Sequence, residues 1–154
     1  MFSFCIPTEF VFGSGSFKKL YQYRMPGKKA LIVTTNGGSV KRLGYLNELE
    51  KQLEKSDVSF EVFDGIEPNP ITDNIMAAAA KAKETNCDFV IGFGGGSPMD
   101  SAKLIALAAT NPGNIWDYCQ KGTGGRKQPE NTPLPVVCIS TTAGKGSEAD
   151  NSGM

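Results

Sequence analysis

Three consecutive glycines near the middle of the chain constrain its fold more than any other feature. They follow residues 88–93, an apolar run of the length and composition of a buried strand. Gly94, Gly95 and Gly96 are then followed by Ser97 and Pro98, residue types that favour the first turn of a helix. Residues 103–109 are rich in alanine and leucine and continue that helix. The sequence therefore predicts a strand, a glycine turn and a helix in direct succession.

This junction suits an anionic ligand. Glycine lets the backbone turn tightly and approach a bound group closely. The unpaired N–H groups at a helix start, with the positive end of the helix dipole behind them, favour a phosphate or pyrophosphate. A tight turn without a ligand is the alternative, but one glycine would serve for that. The usual dinucleotide fingerprint is incomplete, because Ser97 stands where its last glycine belongs.

Strand-like and helix-like segments alternate along the whole chain. Strands are predicted at residues 10–12, 29–34, 59–63, 88–93 and 134–139. Helices are predicted at residues 17–24, 72–83 and 97–110, with another long helix capped by Ser39. Such alternation predicts an α/β fold, a Rossmann-like, mostly parallel sheet with helices on both faces.

Ligands of such sheets bind beyond the carboxyl ends of the strands. Four segments of suitable composition are expected at that edge. They comprise residues 35–39, 67–70, 94–100 and 141–147. Because they fall after four different strands, together they favour an extended ligand such as a dinucleotide.

Composition excludes several classes of function. The chain has 154 residues, enough for one domain, and 16 basic residues balance 16 acidic ones. With no basic tract, a nucleic-acid partner is not expected. No apolar run reaches membrane-spanning length, and the first residues do not resemble a signal peptide. The four cysteines form no CxxC pair, which favours free thiols in a reducing cytoplasm.

The chain contains no histidine. Histidine is the commonest metal ligand and the commonest general base, so neither a Ser-His nor a Cys-His arrangement is possible. No catalytic residue and no metal ligand is therefore predicted within the chain.

Two motifs identify a family resemblance. GGGSPMDSAK begins at Gly94 and TTAGKGSE begins at Thr141. Together they resemble the GGGSxxDxAK and TTAGTGSE motifs of the iron-containing, metal-dependent (group III) alcohol dehydrogenases. The segment Pro68-Asn69-Pro70 also matches that family's PNP loop. The resemblance covers essentially the whole chain and implies the family's N-terminal, nucleotide-binding half, spanning residues 1–154.

The resemblance assigns roles to particular positions. Gly95, Gly96 and Ser97 would hold the cofactor pyrophosphate, and Asp100 would lie near the nicotinamide. Asn69 would lie near the adenosine. Thr141 and Thr142 would line the cofactor with their hydroxyls. Lys145 replaces the family's threonine, and its cation would either strengthen pyrophosphate binding or crowd the site by its bulk. From the residues alone, Asp100 is equally explained by its place in the first turns of a helix, where it can pair with Lys103.

The segment after the second predicted strand bears on the choice of cofactor. An acidic residue there would bind the ribose 2′-hydroxyl and repel a 2′-phosphate, but none occurs between Ala30 and Asn47. Gly37, Gly38, Ser39 and Lys41 instead form a plausible site for the 2′-phosphate, resembling the GGGSxK run of butanol-dehydrogenase-like members. This predicts NADP(H) in preference to NAD(H). The alternative is that Lys41 and the next residue are ordinary solvated helix charges.

In that family the metal, iron or zinc, is held by an aspartate and several histidines of a C-terminal helical domain. That domain is expected to be absent from this chain, which would be a fragment. The resemblance then implies the cofactor-binding half of an enzyme that interconverts a primary alcohol and its aldehyde. This half is expected to be inactive alone. A homo-oligomer is compatible with the sequence. The alternatives are a stand-alone dinucleotide-binding module without catalysis, or a relative of the glycerol dehydrogenase or dehydroquinate synthase type.

Overall fold

A computed structural model of the protein describes residues 8–36, 38–67, 71–143 and 146–149. Its strands are β1 (Lys29–Thr35), β2 (Ser59–Ile66), β3 (Phe89–Gly94) and β4 (Val136–Ser140). Its α-helices are α1 (Ser39–Arg42), α2 (Tyr45–Lys55), α3 (Thr72–Glu84) and α4 (Gly96–Thr110). Two 3-10 helices span Ser16–Gln22 and Ile115–Tyr118.

The four strands form one parallel sheet in the order β2-β1-β3-β4. The chain moves from β1 outward to β2, then returns past β1 to β3 and continues to β4. The direction of winding thus changes between β1 and β3. In parallel sheets a crevice opens at such a switch point, at the carboxyl ends of the strands.

Helices cover both faces of the sheet, as predicted. Leu31 and Val33 of β1 belong to a core with α3 and α4, whereas Ala30 and Ile32 belong to a second core with α2. Alternate residues of a strand point to opposite faces, so β1 is buried on both faces, and its inner residues are apolar except for Thr34. The six residues of β3 are likewise all buried. This confirms the α/β, Rossmann-like class.

The strand predicted at residues 10–12 is wrong. These residues are in no strand, and Phe12 is fully exposed. Alternating bulky residues give a segment high β-propensity, but a strand needs a neighbouring strand to complete its hydrogen bonds. Within the described ranges the sheet therefore has four strands instead of the five predicted.

The long helix predicted from Ser39 is two helices. Gly44 has a φ of +75° and separates α1 from α2, which leaves Leu43 exposed. Gly38, not Ser39, is the N-cap residue, and Ser39 is the first helical residue. The helical spacing of apolar residues continues across Gly44, because α1 and α2 both cover the same face of the sheet.

Two smaller differences concern 3-10 helices. The helix predicted at residues 17–24 is the 3-10 helix Ser16–Gln22. The 3-10 helix Ile115–Tyr118 was not predicted, although Asn114 caps it through a reciprocal pair of hydrogen bonds with Asp117. Neither difference alters the edge of the sheet where ligands are expected.

None of the helices within the described residues is long and apolar enough to cross a lipid bilayer.

Candidate cofactor-binding site

The fold itself requires two of the glycines around the end of β3. A Cβ on Gly92 would lie 2.8 Å from the Cα of Met99, because α4 packs directly on the strand. Gly94 has a φ of +143°, and a Cβ there would lie 2.8 Å from the Pro98 side chain. These glycines allow the chain to turn from β3 into α4 at close range.

Packing against the described residues does not require the next two glycines. Gly95 has a φ of −84°, which any residue can adopt. A Cβ on Gly95 would lie 3.6 Å from the Thr142 hydroxyl, and one on Gly96 would lie 3.5 Å from the Ser147 hydroxyl. Both distances are ordinary van der Waals contacts. The missing side chains therefore leave room beside the backbone that a bound group can use.

Hydroxyl groups from the segment after β4 form the opposite wall of this space. The Thr141 N–H donates to the Gly94 carbonyl over 2.8 Å, which fixes the end of β4 beside the end of β3. The Ser140 hydroxyl donates to the Thr142 carbonyl over 2.6 Å and holds the turn that follows. Thr142 thereby faces Gly95, and the buried Ser147 faces Gly96.

The start of α4 supplies donors to the same space. In any α-helix the N-cap residue and the first three residues lack a partner for their N–H groups within the helix. In α4 these are Gly95, Gly96 and Ser97, while Pro98 has no N–H to offer. Three N–H groups and two hydroxyls thus border a space enlarged by two glycines. We refer to Gly95, Gly96, Ser97, Thr142 and Ser147 as the glycine cradle.

Asp100 lies at the border of the glycine cradle. Its Oδ2 atom is 4.0 Å from the position of a Cβ on Gly96. The Lys103 ammonium lies 3.5 Å from its Oδ1 atom, and both side chains are largely buried, with exposed fractions of 18% and 14%. The pairing with Lys103 considered from the sequence is therefore present, and Asp100 also adjoins the predicted pyrophosphate position.

The second group of predicted residues lies after β1, at the same edge of the sheet. Gly38 packs on Thr35, since a Cβ there would lie 2.5 Å from the Thr35 hydroxyl. Ser39 is exposed at the start of α1. The need for glycine at position 38 is thus explained by local packing.

Lys41 is exposed and lies in an ion pair. Its ammonium forms an ion pair with Asp64, near the carboxyl end of the neighbouring strand β2. The hydrogen bond from Lys41 holds the pKa of Asp64 below its usual value of 3.8. Both side chains remain partly exposed, at 36% and 47%. The cation proposed for a 2′-phosphate therefore already has a carboxylate partner.

Three of the predicted site residues, Gly37, Asn69 and Lys145, lie outside the residues that the structure describes.

The described side chains do not form a metal-binding group. The sequence lacks histidine, and no group of three or more Cys, Asp or Glu residues in the described ranges is placed to hold an ion. The glycine cradle, by contrast, fits the pyrophosphate of a dinucleotide because it combines N–H donors, hydroxyls and space.

Sequence reasoning missed two residues of this region. Ser147 is part of the TTAGKGSE motif, but only the fold shows that it faces Gly96. Asp64 lies directly after the strand predicted at residues 59–63, so its position at the ligand-binding edge could have been predicted from the sequence. Its pairing with Lys41 joins residues 23 positions apart, which no local pattern indicates.

Comparison with known proteins identifies relatives over nearly the whole chain. Alcohol dehydrogenase 4 of Saccharomyces cerevisiae is 40% identical over 147 residues, covering 94% of this chain and 37% of its own length. The NADPH-dependent aldehyde reductase YqhD of Escherichia coli is 36% identical over 97% of this chain and 37% of its own length.

A solved structure shows the same fold. The NADH-dependent butanol dehydrogenase A of Thermotoga maritima superposes with a TM-score of 0.84 at 32% identity, covering 97% of this chain and 36% of that one. The chain thus spans little more than a third of the length of these proteins. The family model of the iron-containing alcohol dehydrogenases matches residues 7–154. This confirms the resemblance drawn from the two motifs: the chain belongs to the iron-containing alcohol dehydrogenase family.

Proposed function

We propose that this chain is the cofactor-binding half of an NAD(P)-dependent, metal-dependent alcohol dehydrogenase, with residues 1–154 forming a dinucleotide-binding domain. The observation that carries the proposal is the glycine cradle. Gly95 and Gly96 are glycines that neither backbone conformation nor internal packing demands. Glycines at these two positions do not stabilise the helix. They do leave space in which a ligand can approach the backbone N–H groups.

Each part of the cradle has a role toward the cofactor. The N–H groups of Gly95, Gly96 and Ser97 donate to the pyrophosphate, where hydrogen bonds to a charged acceptor are about twice as strong as neutral ones. Thr142 and Ser147 add hydroxyl donors from the opposite wall. Asp100 borders the cradle and, by family resemblance, lies toward the nicotinamide. When bound, the cofactor supplies the hydride acceptor or donor.

NADPH is the proposed preferred cofactor. Support comes from the absence of an acidic residue after β1 and from the position of Ser39 and Lys41 at that edge. Relatives of both kinds exist, since one is an NADPH-dependent aldehyde reductase and another an NADH-dependent butanol dehydrogenase.

The proposed reaction of the whole enzyme is hydride transfer between a primary alcohol and its aldehyde. The residues of this chain hold and orient the cofactor and exclude water from its pyrophosphate. The chain has no histidine, and its described residues include no metal-ligating group, so we propose that the family's C-terminal domain holds the iron or zinc. The chain alone is therefore expected to bind a cofactor without turnover.

Location and assembly form part of the proposal. Cys87, Cys119 and Cys138 are free thiols, which suits the reducing cytoplasm. The direct partner is a nicotinamide dinucleotide, and the small alcohol or aldehyde binds in the complete enzyme. Light scattering during gel filtration measures whether the chain associates into a homo-oligomer.

Isothermal titration calorimetry of the chain with NADPH and with NADH tests the proposal. We expect saturable one-to-one binding of both, with NADPH the tighter. A chain that is folded by circular dichroism and binds neither cofactor would contradict it. An alcohol-oxidation assay with added Fe²⁺ or Zn²⁺ separates the cofactor-binding half from a complete catalyst, since metal-dependent turnover would contradict the assigned division of roles.

A further inference from the structure

The ion pair between Lys41 and Asp64 joins helix α1 to strand β2 beside the proposed 2′-phosphate position. Lys41 lies on α1, directly after β1, and Asp64 lies two residues before the end of β2. β1 and β2 are paired in parallel, so both side chains lie toward the carboxyl edge of the sheet. This is the edge at which the cofactor is proposed to bind.

β2 carries a second carboxylate, Glu61, which pairs with other lysines and not with Lys41. Glu61 lies 3.6 Å from the Lys29 ammonium and 3.8 Å from the Lys81 ammonium. Both Glu61 partners lie away from α1, on β1 and α3. Asp64 instead meets Lys41, the cation that the sequence assigns to the cofactor.

A 2′-phosphate and the Asp64 carboxylate are alternative partners for one ammonium group. NADPH differs from NADH at this position by a phosphate that carries nearly two negative charges. To bind this phosphate, the Lys41 ammonium must either break its ion pair with Asp64 or contact both anions. The Asp64 carboxylate then repels the phosphate, because both are negatively charged. NADH makes no such demand, so it leaves the ion pair intact.

We propose that Asp64 is a specificity-determining residue that competes with the cofactor 2′-phosphate for Lys41 and so limits the preference for NADPH over NADH. The inference rests on the proposed function, because it needs a dinucleotide at this edge. Asp64 acts through Lys41 and is a positioning residue. Its removal changes the ratio of the two affinities without removing any donor of the glycine cradle.

The test compares the ratio of the NADH and NADPH dissociation constants in the parent chain and in Asp64→Asn, measured by calorimetry at low ionic strength. The asparagine keeps the size of the side chain and removes its charge. We expect the ratio to rise about two- to fivefold, the range that partly exposed ion pairs allow. Glu61→Gln is the matched control and leaves the ratio unchanged. Asp64→Ser provides a second neutral variant if the first is poorly folded.

Lys41→Met completes the design. We expect it to lower the ratio, and Asp64→Asn added to it to have less effect than in the parent, because the carboxylate acts through the lysine. An unchanged or falling ratio in folded Asp64→Asn, with binding retained, overturns this inference alone. If the folded parent binds neither cofactor, the proposed function fails, and this inference with it.

Discussion

Replacing Gly96 by alanine separates a glycine kept for a ligand from one kept for the fold. A methyl group at this position meets the Ser147 hydroxyl at 3.5 Å, an ordinary contact that needs no rearrangement. Gly92→Ala is the contrasting variant, since its methyl group would lie 2.8 Å from the Met99 Cα and 2.9 Å from the Ala102 Cβ. The first change is confined to the cradle, and the second presses α4 away from β3.

Gly96→Ala is expected to lower cofactor affinity, and Gly92→Ala to lower the stability of the fold. Gly96→Ala leaves the free energy of unfolding within about 0.5 kcal/mol of the parent, as for a change without strain. Its methyl group displaces a phosphate oxygen from the N–H groups, and losing one hydrogen bond to a charged group costs about 1.5–3 kcal/mol. Cofactor affinity therefore falls roughly tenfold to a hundredfold. Gly92→Ala instead destabilises the fold by about 1–3 kcal/mol through overpacking.

Urea unfolding and calorimetric titration with NADPH measure the two effects on the same preparations. Affinity equal to that of the parent in Gly96→Ala would refute the assignment of this glycine to a ligand. So would a loss of stability in Gly96→Ala as large as that in Gly92→Ala, because the glycine would then serve the fold.

Three further predictions concern stability and reactivity. Asn111→Ala should destabilise the chain by about 1–3 kcal/mol in urea unfolding, because the buried side-chain Oδ1 of Asn111 accepts from the backbone N–H groups of Glu130 and Asn131 at 2.8 Å. An unchanged unfolding midpoint would contradict this. The lowered pKa of Asp64 means that its ion pair stabilises the fold above pH 3.8, the usual carboxyl value, and that this contribution is lost as the pH falls through the folded-state pKa. The stability difference between the parent and Asp64→Asn should therefore be largest near neutral pH and vanish in acid, whereas a difference independent of pH would exclude the ion pair as its cause. Burial raises the pKa of the Cys87 thiol, so alkylation mapped by mass spectrometry should label it slowly in the native chain and rapidly in urea; equal rates would show that the site is open.

The sequence alone was sufficient for the fold class because β1 and β3 are buried on both faces. A strand covered on both sides is mostly apolar, as β1 is except for Thr34, and that signal is strong and local. Residues 10–12 carry a similar local signal but form no strand, because propensity does not supply a partner. The break at Gly44 was missed for a related reason, since α1 and α2 bury side chains in the same core and keep one apolar spacing.

The candidate site was only partly predictable. The motifs placed Gly95, Gly96 and Thr142 at one edge, and the structure brings them together. What the sequence could not distinguish is which glycines the fold needs, because that depends on the distance between α4 and β3. The ion pair between Lys41 and Asp64 could not be predicted from the sequence either, since the pairing of β1 with β2 brings the two residues together.

The cofactor pyrophosphate is proposed to bind the N–H groups at the start of α4. Proton–nitrogen correlation spectra of the chain labelled with ¹⁵N-glycine, recorded during titration with NADPH, report on these groups one by one. We predict that the Gly95 and Gly96 amide signals shift most, and that the signal of Gly113, beyond the far end of α4, does not move. Saturable binding that leaves the Gly95 and Gly96 signals in place would show that the pyrophosphate binds elsewhere.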